Sequence, residues 1–299
     1  MSRAGTAVLF PGQGSQVPGM GRRAAEASPR AAALYDAASA AIDRDLRELC
    51  WHAPLETLTR TENLQPALTV AALADWLADD DRPDPAARTA GHSVGALAAA
   101  AVAGALDPVD AVRLAAARGA LMASAPAGGA MLAVATPKTA DEAAQHAAAV
   151  ELAERFDVDV AAVNGPTQVV LAGAADRIDA AAAEIGGRSK RLEVSNAFHS
   201  RFMAPVADEW ARTLEGVAFA DGAGGYVGCA SGALAADGDA VRADLRDGLT
   251  GAVRWMAVLQ ALDGCADFDV YGPGRAIARL ARPFLDGRAV RTHEPAGAR

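Results

Sequence analysis

Thr89-Ala90-Gly91-His92-Ser93-Val94-Gly95 leads into an alanine-rich run through about residue 103 and is the strongest indicator of the fold in this chain. Its centre fits Gly-x-Ser-x-Gly, in which the glycines permit a sharp turn from a strand into a helix and expose the serine hydroxyl. The turn sets Ser93 at a helix N-terminus, where free N–H groups and the helix dipole stabilise a developing anion. By itself the pattern is equally compatible with an ordinary glycine-serine turn.

The N-terminal residues repeat the order of strand, turn and helix. Residues 7–10 are apolar, Pro11-Gly12-Gln13-Gly14-Ser15 is a glycine turn, and a helical pattern covers 21–42. The turn lacks the Lys-Ser/Thr ending of a phosphate-binding loop, which argues against binding of a nucleoside triphosphate. Its N–H groups are candidates for an oxyanion hole with that of Val94, although an ordinary turn is the alternative.

Apolar spacing, glycine and proline predict the other elements of the larger part of the chain. Helices are expected over 66–77, 108–124 and 253–262, and a last one after Gly272-Pro273-Gly274. A strand is expected over 268–271, and loops over 79–84 and 221–238.

Between residues 128 and 196 the predicted order becomes βαββαβ. The strands are placed at 131–135, 158–163, 168–172 and 189–194, and the helices at 140–156 and 175–185. This is the order of a ferredoxin-like unit. The predicted fold class is therefore α/β, with a large α/β-hydrolase-like subdomain formed by 1–127 and 197–299 and an inserted ferredoxin-like small subdomain, 128–196. The catalytic cleft is expected between them.

Composition limits the possible classes of protein. A chain of 299 residues, 52% hydrophobic and 22% charged, can bury a large core. Its formal net charge of −9 argues against nucleic acid and anionic membranes as partners. Charged residues interrupt the alanine runs before they reach the length of a membrane span, and the first residues do not resemble a secretion signal, so the cytoplasm is predicted.

The cysteines give no sign of a disulfide framework or a metal site. Cys50, Cys229 and Cys265 are odd in number and far apart in sequence. They are predicted to be reduced and structural, and no metal is expected.

A serine nucleophile needs a base, and the chain has five histidines. His92 adjoins Ser93 and is expected to point away from it on a sharp turn. His52 lies in a loop, His146 on a polar helix and His293 near a terminus expected to fray. This leaves His199, in Asn196-Ala197-Phe198-His199-Ser200, where the inserted unit rejoins the larger one. A structural histidine remains the alternative.

Seven segments occur together in this order: 9–16, 65–67, 91–95, Arg118-Gly119 with Met122, 164–173, 197–200 and 272–274. In residues, order and spacing they resemble the malonyl-CoA:acyl carrier protein transacylase family, which includes the acyltransferase domains of polyketide and fatty acid synthases. The resemblance covers nearly the whole chain.

The resemblance implies catalytic roles for four residues. Ser93 is expected to be the nucleophile and His199 its general base and acid. The N–H groups of Gln13 and Val94 are expected to form the oxyanion hole. A main-chain carbonyl at about Gly251-Ala252 would orient the histidine, although the Asn/Ser-Pro usual there in the family is missing.

The resemblance also implies a set of substrate-binding residues. An arginine can hold a carboxylate by two parallel hydrogen bonds, so Arg118 is expected to select a dicarboxylic half-ester such as malonyl, although a solvated arginine on its helix would be the reading without the motif. Phe198 is expected to leave little room for a methyl group on the second carbon of the acyl chain. Gln65, His92 and Asn164 complete the candidate substrate-binding set.

The function implied is transfer of a malonyl group from malonyl-CoA to the phosphopantetheine thiol of an acyl carrier protein, by a ping-pong reaction in fatty acid or polyketide biosynthesis. No metal or redox cofactor is expected. The acidic carrier protein is expected to dock on Arg201, Arg275 and Arg279.

Three alternatives remain open at this point. One is a transferase for another or larger acyl group, acting between carrier proteins or in a malonate decarboxylase. The others are a thioester hydrolase and a silent docking module. Ala96 and Tyr271 depart from residues common in the family and leave room for an unusual donor or acceptor.

Overall fold

The computed structural model of the protein describes residues 5–83, 87–221, 224–285 and 287–293. Its strands are β1 (Thr6–Phe10), β2 (Arg88–Gly91), β3 (Gly129–Ala135), β4 (Asp159–Gly165), β5 (Gln168–Ala174), β6 (Ser189–Arg191), β7 (Tyr226–Val227), β8 (Asp267–Tyr271) and β9 (Val290–His293). Its helices are α1 (Arg22–Ala27), α2 (Pro29–Ala41), α3 (Leu46–Trp51), α4 (Leu55–Thr59), α5 (Thr61–Ala78), α6 (Gly95–Val102), α7 (Pro108–Ser124), α8 (Glu142–Phe156), α9 (Ala175–Ile185), α10 (Ala207–Glu215), α11 (Gly238–Asp247), α12 (Trp255–Ala261) and α13 (Ala276–Ala281).

The first sheet has five parallel strands in the order β7-β2-β1-β8-β9. Every residue of β1 is buried, as is usual for a parallel strand covered on both faces. The predicted strands at 7–10 and 268–271 are confirmed. The prediction of a loop throughout 221–238 is wrong at β7, a strand of only two residues that is too short for a periodic signal; residues 222–223 of that stretch lie outside the described residues.

The expectation that His293 lies near a frayed terminus is wrong. His293 ends β9, in register with Tyr271 of β8, and the two rings stack with their centroids 4.2 Å apart. The Tyr271 hydroxyl donates a hydrogen bond of 2.6 Å to Asp79, and Nδ1 of His293 lies 3.3 Å from the same carboxylate. Because only four residues of mixed polarity form β9, the sequence pattern gave no indication of it.

The second sheet is antiparallel, in the order β4-β5-β3-β6, and α8 and α9 pack on it. The predicted βαββαβ order is thereby confirmed, although its last strand ends at Arg191 rather than at residue 194. All of these elements lie within 128–196, and the subdomain boundaries themselves stay a prediction.

A main-chain contact joins the two parts of the chain at β4. Val253 donates to the carbonyl of Ala161 and accepts from the N–H of Val163, each at 2.9 Å. Val253 therefore occupies the edge of β4 as a single strand residue would.

Local chemistry determines where the helices begin and end. The helix predicted over 21–42 is divided into α1 and α2 at Ser28, since Pro29 has no N–H and suits a first turn. The prediction over 108–124 is confirmed, and the Asp107 carboxylate caps α7 by accepting from the N–H groups of its first residues. Within the described ranges no helix has both the length and the apolarity to cross a bilayer.

α5 is longer than predicted because it continues through a proline. Pro66 lies inside the helix and cannot donate to the carbonyl of Glu62 four residues earlier. The Arg44 guanidinium supplies the missing donor, with Nη1 3.2 Å from that carbonyl, and it also bonds Asn63. One side chain from outside the helix thus compensates for the proline. The loop predicted after α5 is observed over 79–83, and residue 84 lies outside the described residues.

Replacing this donor is expected to destabilise the protein. In Arg44→Ala the Glu62 carbonyl and the Asn63 amide lose their partner, which should lower the free energy of unfolding by about 1–3 kcal/mol. Urea unfolding followed by circular dichroism measures the loss. The control is Arg113→Ala, which removes an exposed ion pair with Asp110 and should change the free energy by less than about 1 kcal/mol. Equal effects of the two substitutions would contradict this account of α5.

Candidate active site

Ser93 occupies a strained turn between β2 and α6. Its φ is 54°, in the left-handed region that non-glycine residues rarely adopt. A Cβ on Gly91 would lie 2.0 Å from the main chain of Gly95, and a Cβ on Gly95 would lie 2.6 Å from the carbonyl oxygen of Phe10. Both glycines of the motif are therefore required by packing, and the turn has the geometry of a nucleophile elbow.

The structure brings His199 to the serine. The Ser93 hydroxyl oxygen lies 2.7 Å from Nε2 of His199. His199 also has a positive φ, 59°, in the segment that leaves the second sheet. Hydrogen bonds within this segment hold it, since the Asn196 side chain accepts from the N–H of Ala197 and donates to the carbonyl of Pro126. The pair identified by elimination among the histidines is in hydrogen-bonding contact.

Burial keeps His199 neutral. It lowers the pKa of the imidazole to about 3, and the nearby charge of Arg118, followed by that of His92, lowers it further. Main-chain groups of Gly248 and Gly251 act in the opposite direction. Neither reaches full hydrogen-bonding geometry with Nδ1, which is buried without a partner among the described residues. His199 is thus an unprotonated base at neutral pH, and its Nδ1 faces main chain rather than a carboxylate.

The two residues expected to form an oxyanion hole both line the cleft next to the serine. Gln13 follows β1 and Val94 follows Ser93. Within the part of the chain that the structure describes, no acceptor takes a hydrogen bond from either main-chain N–H. The two turns are in close contact, since a Cβ on Gly12 would lie 2.6 Å from the carbonyl oxygen of His92. Both donors are therefore available to a ligand.

Arg118 is a buried cation on α7 in the wall of the cleft. Its Nη1 donates to Oε1 of Gln65 at 2.9 Å, and its Nη2 lies 3.5 Å from the carbonyl oxygen of Gly248. The Gln65 amide is oriented by bonds from its Nε2 to Thr61 and Met122. Burial lowers the pKa of the guanidinium only to about 10, so the charge persists at neutral pH. No carboxylate among the described residues forms an ion pair with it.

His92, Asn164 and Phe198 also line this cleft. Nε2 of His92 bonds Oδ1 of Asn164 at 2.9 Å, and Nδ2 of Asn164 donates to Gln168 at 3.0 Å. His92 is thus bonded across to the second sheet instead of to the serine, and burial lowers its pKa. Phe198 is buried immediately before His199.

The cleft has a volume of about 890 Å³, and residues from both sheets line it. Arg279 of the three arginines expected to bind a carrier protein is in its wall, as is Lys190, which the sequence did not single out. Arg201 is instead held by Asp157 and Asp159, with N–O distances of 3.0 and 3.4 Å. Arg275 does not line the cleft.

The structure also explains two departures from the resemblance. Tyr271 is fully buried and packs edge-on against Trp76 while it bonds Asp79, so its place is structural. Ala96 is buried in the first turn of α6 below the elbow.

Sequence reasoning missed Gly248. Its carbonyl accepts from Arg118, but a glycine at the end of a helix carries no sequence signal for that contact.

Together, the parallel sheet, the elbow serine bonded to a histidine and the second sheet across the cleft define a class of α/β enzyme that uses serine as a nucleophile. The family model described as an acyl transferase domain matches residues 8–222. The chain belongs to the acyl transferase domain family.

Relatives include the mycoketide-CoA synthase of Mycobacterium tuberculosis, which is 36% identical over 94% of this chain and 7% of its own length. The malonyl CoA-acyl carrier protein transacylase of Bacillus subtilis is 33% identical over 92% of this chain and 89% of its own. A solved complex of a malonyl-transacylase with its type II polyketide synthase acyl-carrier protein has a TM-score of 0.86 and 31% identity, covering 98% of this chain and 97% of that one. The chain spans only 4–10% of the length of the first four polyketide synthases it matches.

The buried neutral histidine should make stability depend on pH. His199 takes up a proton near pH 6.5 in the unfolded chain but only near pH 3 in the folded one, so the unfolded state binds more protons between these values. The free energy of unfolding should therefore fall as the pH is lowered through this window, by up to about 1.4 kcal/mol per pH unit for this group.

Urea unfolding between pH 4.5 and 7 tests this, with His199→Gln expected to have a shallower slope than the wild type. His52→Gln, at an exposed position, is the control and should keep the wild-type slope. Parallel slopes for His199→Gln and the wild type would show that the histidine is not buried in its neutral form.

Proposed function

We propose that the chain transfers a malonyl group from malonyl-CoA to the phosphopantetheine thiol of an acyl carrier protein through an acyl-enzyme on Ser93. The observation that carries the proposal is a serine 2.7 Å from a neutral histidine, in one cleft with a buried arginine that has no described carboxylate partner. The transacylases among the relatives support the malonyl group and the carrier protein.

The first half-reaction uses the serine and histidine as a unit. Nε2 of His199 accepts the hydroxyl proton as the Ser93 oxygen attacks the thioester carbonyl. The N–H groups of Gln13 and Val94 donate to the oxyanion of the tetrahedral intermediate. Collapse of the intermediate breaks the carbon–sulfur bond, and the departing CoA sulfur takes the proton from His199.

The second half-reaction reverses these roles. His199 removes the proton from the phosphopantetheine thiol, whose sulfur attacks the serine ester. The same N–H groups stabilise the second intermediate, and its collapse returns the proton to Ser93. Each step is balanced by these groups alone, so no metal or redox cofactor is required.

Arg118 is the basis of the proposed selectivity. A malonyl carboxylate would give the buried guanidinium the anion that the protein does not supply, whereas an acetyl group would leave the charge uncompensated. Gln65 fixes the orientation of the guanidinium through Nη1. Phe198 would restrict space for a substituent on the second carbon of the acyl group.

A thioester hydrolase is the second candidate to be separated by experiment. Hydrolases with an elbow serine use an acidic third residue on the histidine, and Nδ1 of His199 has no carboxylate partner among the described residues. This favours transfer. The proposed setting is fatty acid or polyketide biosynthesis in the cytoplasm, and the three cysteines, which are all free, are compatible with a reducing compartment.

Intact-protein mass spectrometry tests the nucleophile and the selectivity together. After brief incubation with malonyl-CoA the wild type should gain one malonyl group, and Ser93→Ala should gain none. Arg118→Ala should be acylated about 10- to 100-fold more slowly, because a hydrogen bond to a charged group contributes about 1.5–3 kcal/mol. Arg118→Lys, which keeps the charge but loses the paired donors, should recover only part of the rate.

Acetyl-CoA and methylmalonyl-CoA are the comparison donors and should label the wild type less than malonyl-CoA does. No adduct from any of the three would contradict the malonyl assignment and favour a larger or carrier-bound acyl group. Release of free malonate at the same rate with and without carrier protein would favour the hydrolase.

The proposed carrier surface predicts different effects for two of the arginines. Arg279→Gln should raise the half-saturating concentration of carrier protein about two- to fivefold, as expected for an exposed charge pair of up to about 1 kcal/mol. Arg201→Gln should have less effect, since Arg201 is held by two aspartates outside the cleft. Steady-state transfer rates at two salt concentrations measure both, and equal effects would contradict the assignment.

A further inference from the structure

Asp244 is a buried carboxylate outside the cleft that has hydrogen-bond donors instead of a cation around it. Its Oδ2 accepts from the Tyr226 hydroxyl at 2.8 Å and from the N–H of Cys229 at 2.9 Å. Its Oδ1 accepts from the N–H groups of Ala230 and Ser231 at 3.0 and 2.8 Å. No lysine or arginine among the described residues forms an ion pair with it. Four donors fix the charge in one position.

The carboxylate anchors the loop that follows β7 to helix α11. A Cβ on Gly228 would lie 2.2 Å from Oδ1 of Asp244, so the loop wraps the carboxylate as closely as a glycine allows. The three consecutive N–H groups of residues 229–231 point to one side chain. Without it they would be left with no acceptor inside the protein, and the loop would have to rearrange to reach water.

One connection runs from Asp244 to Arg118 and His199. The carbonyl of Asp244 accepts from the N–H of Gly248 at 2.9 Å, at the end of α11. Gly248 in turn presents its carbonyl to Nη2 of Arg118. Main-chain groups of Gly248 and Gly251 also act on the His199 ring. The end of α11 therefore borders both the arginine and the base.

A second connection runs from Asp244 to Ser93 through Cys229. The Cys229 thiol is buried, and a Cβ on Gly248 would lie 3.8 Å from its sulfur. The main-chain N–H of Ser93 and the Arg118 charge both act on this thiol, which places it behind the elbow. The carbonyl of Cys229 accepts from the N–H of Arg254 at 2.7 Å, so the loop is held on both sides.

We propose that Asp244 is a positioning residue for the active site, which holds the loop behind Ser93 and the end of α11 so that the serine, His199 and Arg118 keep their relative places. The proposal rests on the acyl-transfer function proposed above. Asp244 touches none of the reacting atoms, and its effect should therefore be on the rate of acylation more than on the binding of CoA.

The test is single-turnover acylation by malonyl-CoA in Asp244→Ala, Asp244→Asn and the wild type, followed by rapid quenching and intact mass. Asp244→Ala should lower the rate constant at saturating malonyl-CoA by about 10- to 100-fold, as misplacement of catalytic groups by about 1 Å does, with little change in half-saturation. Asp244→Asn keeps an oxygen for residues 230 and 231 and loses the acceptor of Cys229, so it should fall between the other two.

Asp237→Ala is the matched control. Asp237 is exposed and caps the other end of α11 by accepting from the N–H of Ala240, so its loss weakens the same helix far from the loop. It should lower the melting temperature and leave the acylation rate per folded molecule unchanged. A fall in rate confined to the Asp244 variants supports positioning.

Wild-type rates in both Asp244 variants would overturn the proposal, and so would equal falls in Asp237→Ala. If Asp244→Ala does not fold, Asp244→Asn decides, since a wild-type rate there would also overturn it. Absence of acylation in the wild type itself would overturn the proposed function, an outcome distinct from normal acylation that is insensitive to Asp244.

Discussion

The structure depends on one steric constraint, the contact between the turn after β1 and the elbow after β2. Gly12, Gly91 and Gly95 each lie where a Cβ would meet main-chain atoms at 2.6 Å or less. This contact forces Ser93 into a positive φ, and a strained residue of this kind persists only where its surroundings determine it. Because the two turns cannot move apart, the N–H groups of Gln13 and Val94 stay beside the serine.

Charge in the cleft follows from burial. Arg118 and His199 share a wall with little solvent, and the outcome differs because their intrinsic pKa values differ. The guanidinium, lowered to about 10, stays charged, whereas the imidazole, lowered to about 3, stays neutral. Burying a cation without an anion costs several kcal/mol, which is tolerable when a substrate carboxylate completes the pair. The same cation helps to keep the base unprotonated, so one residue contributes to selectivity and to basicity.

Much of this site could be predicted from the sequence because local rules determine it. A Gly-x-Ser-x-Gly turn specifies its own geometry, and the buried strands and α7 are set by periodicity and capping. What the sequence did not reveal depends on contacts between distant residues. The strands β7 and β9 form only because β2 and β8 offer them edges, and α5 continues past Pro66 because Arg44 reaches it. The bond from Arg118 to Gly248 spans 130 residues and has no local signature.

The segment that the resemblance expected to carry Asn/Ser-Pro shows how a missing motif can be replaced. A proline there would restrict the chain before Val253 by its own ring, but Gly251-Ala252 has no such restriction. The neighbouring residues supply it from outside. Val253 is bonded to β4, and the Arg254 guanidinium bonds both carboxylate oxygens of the buried Glu142 on α8, at 3.1 and 2.6 Å. Because the second sheet and the end of α11 hold the segment from its two sides, main chain next to His199 can stay in place without proline. Tertiary contacts thus take over a role that relatives assign to local sequence, which is why this departure is compatible with an intact site.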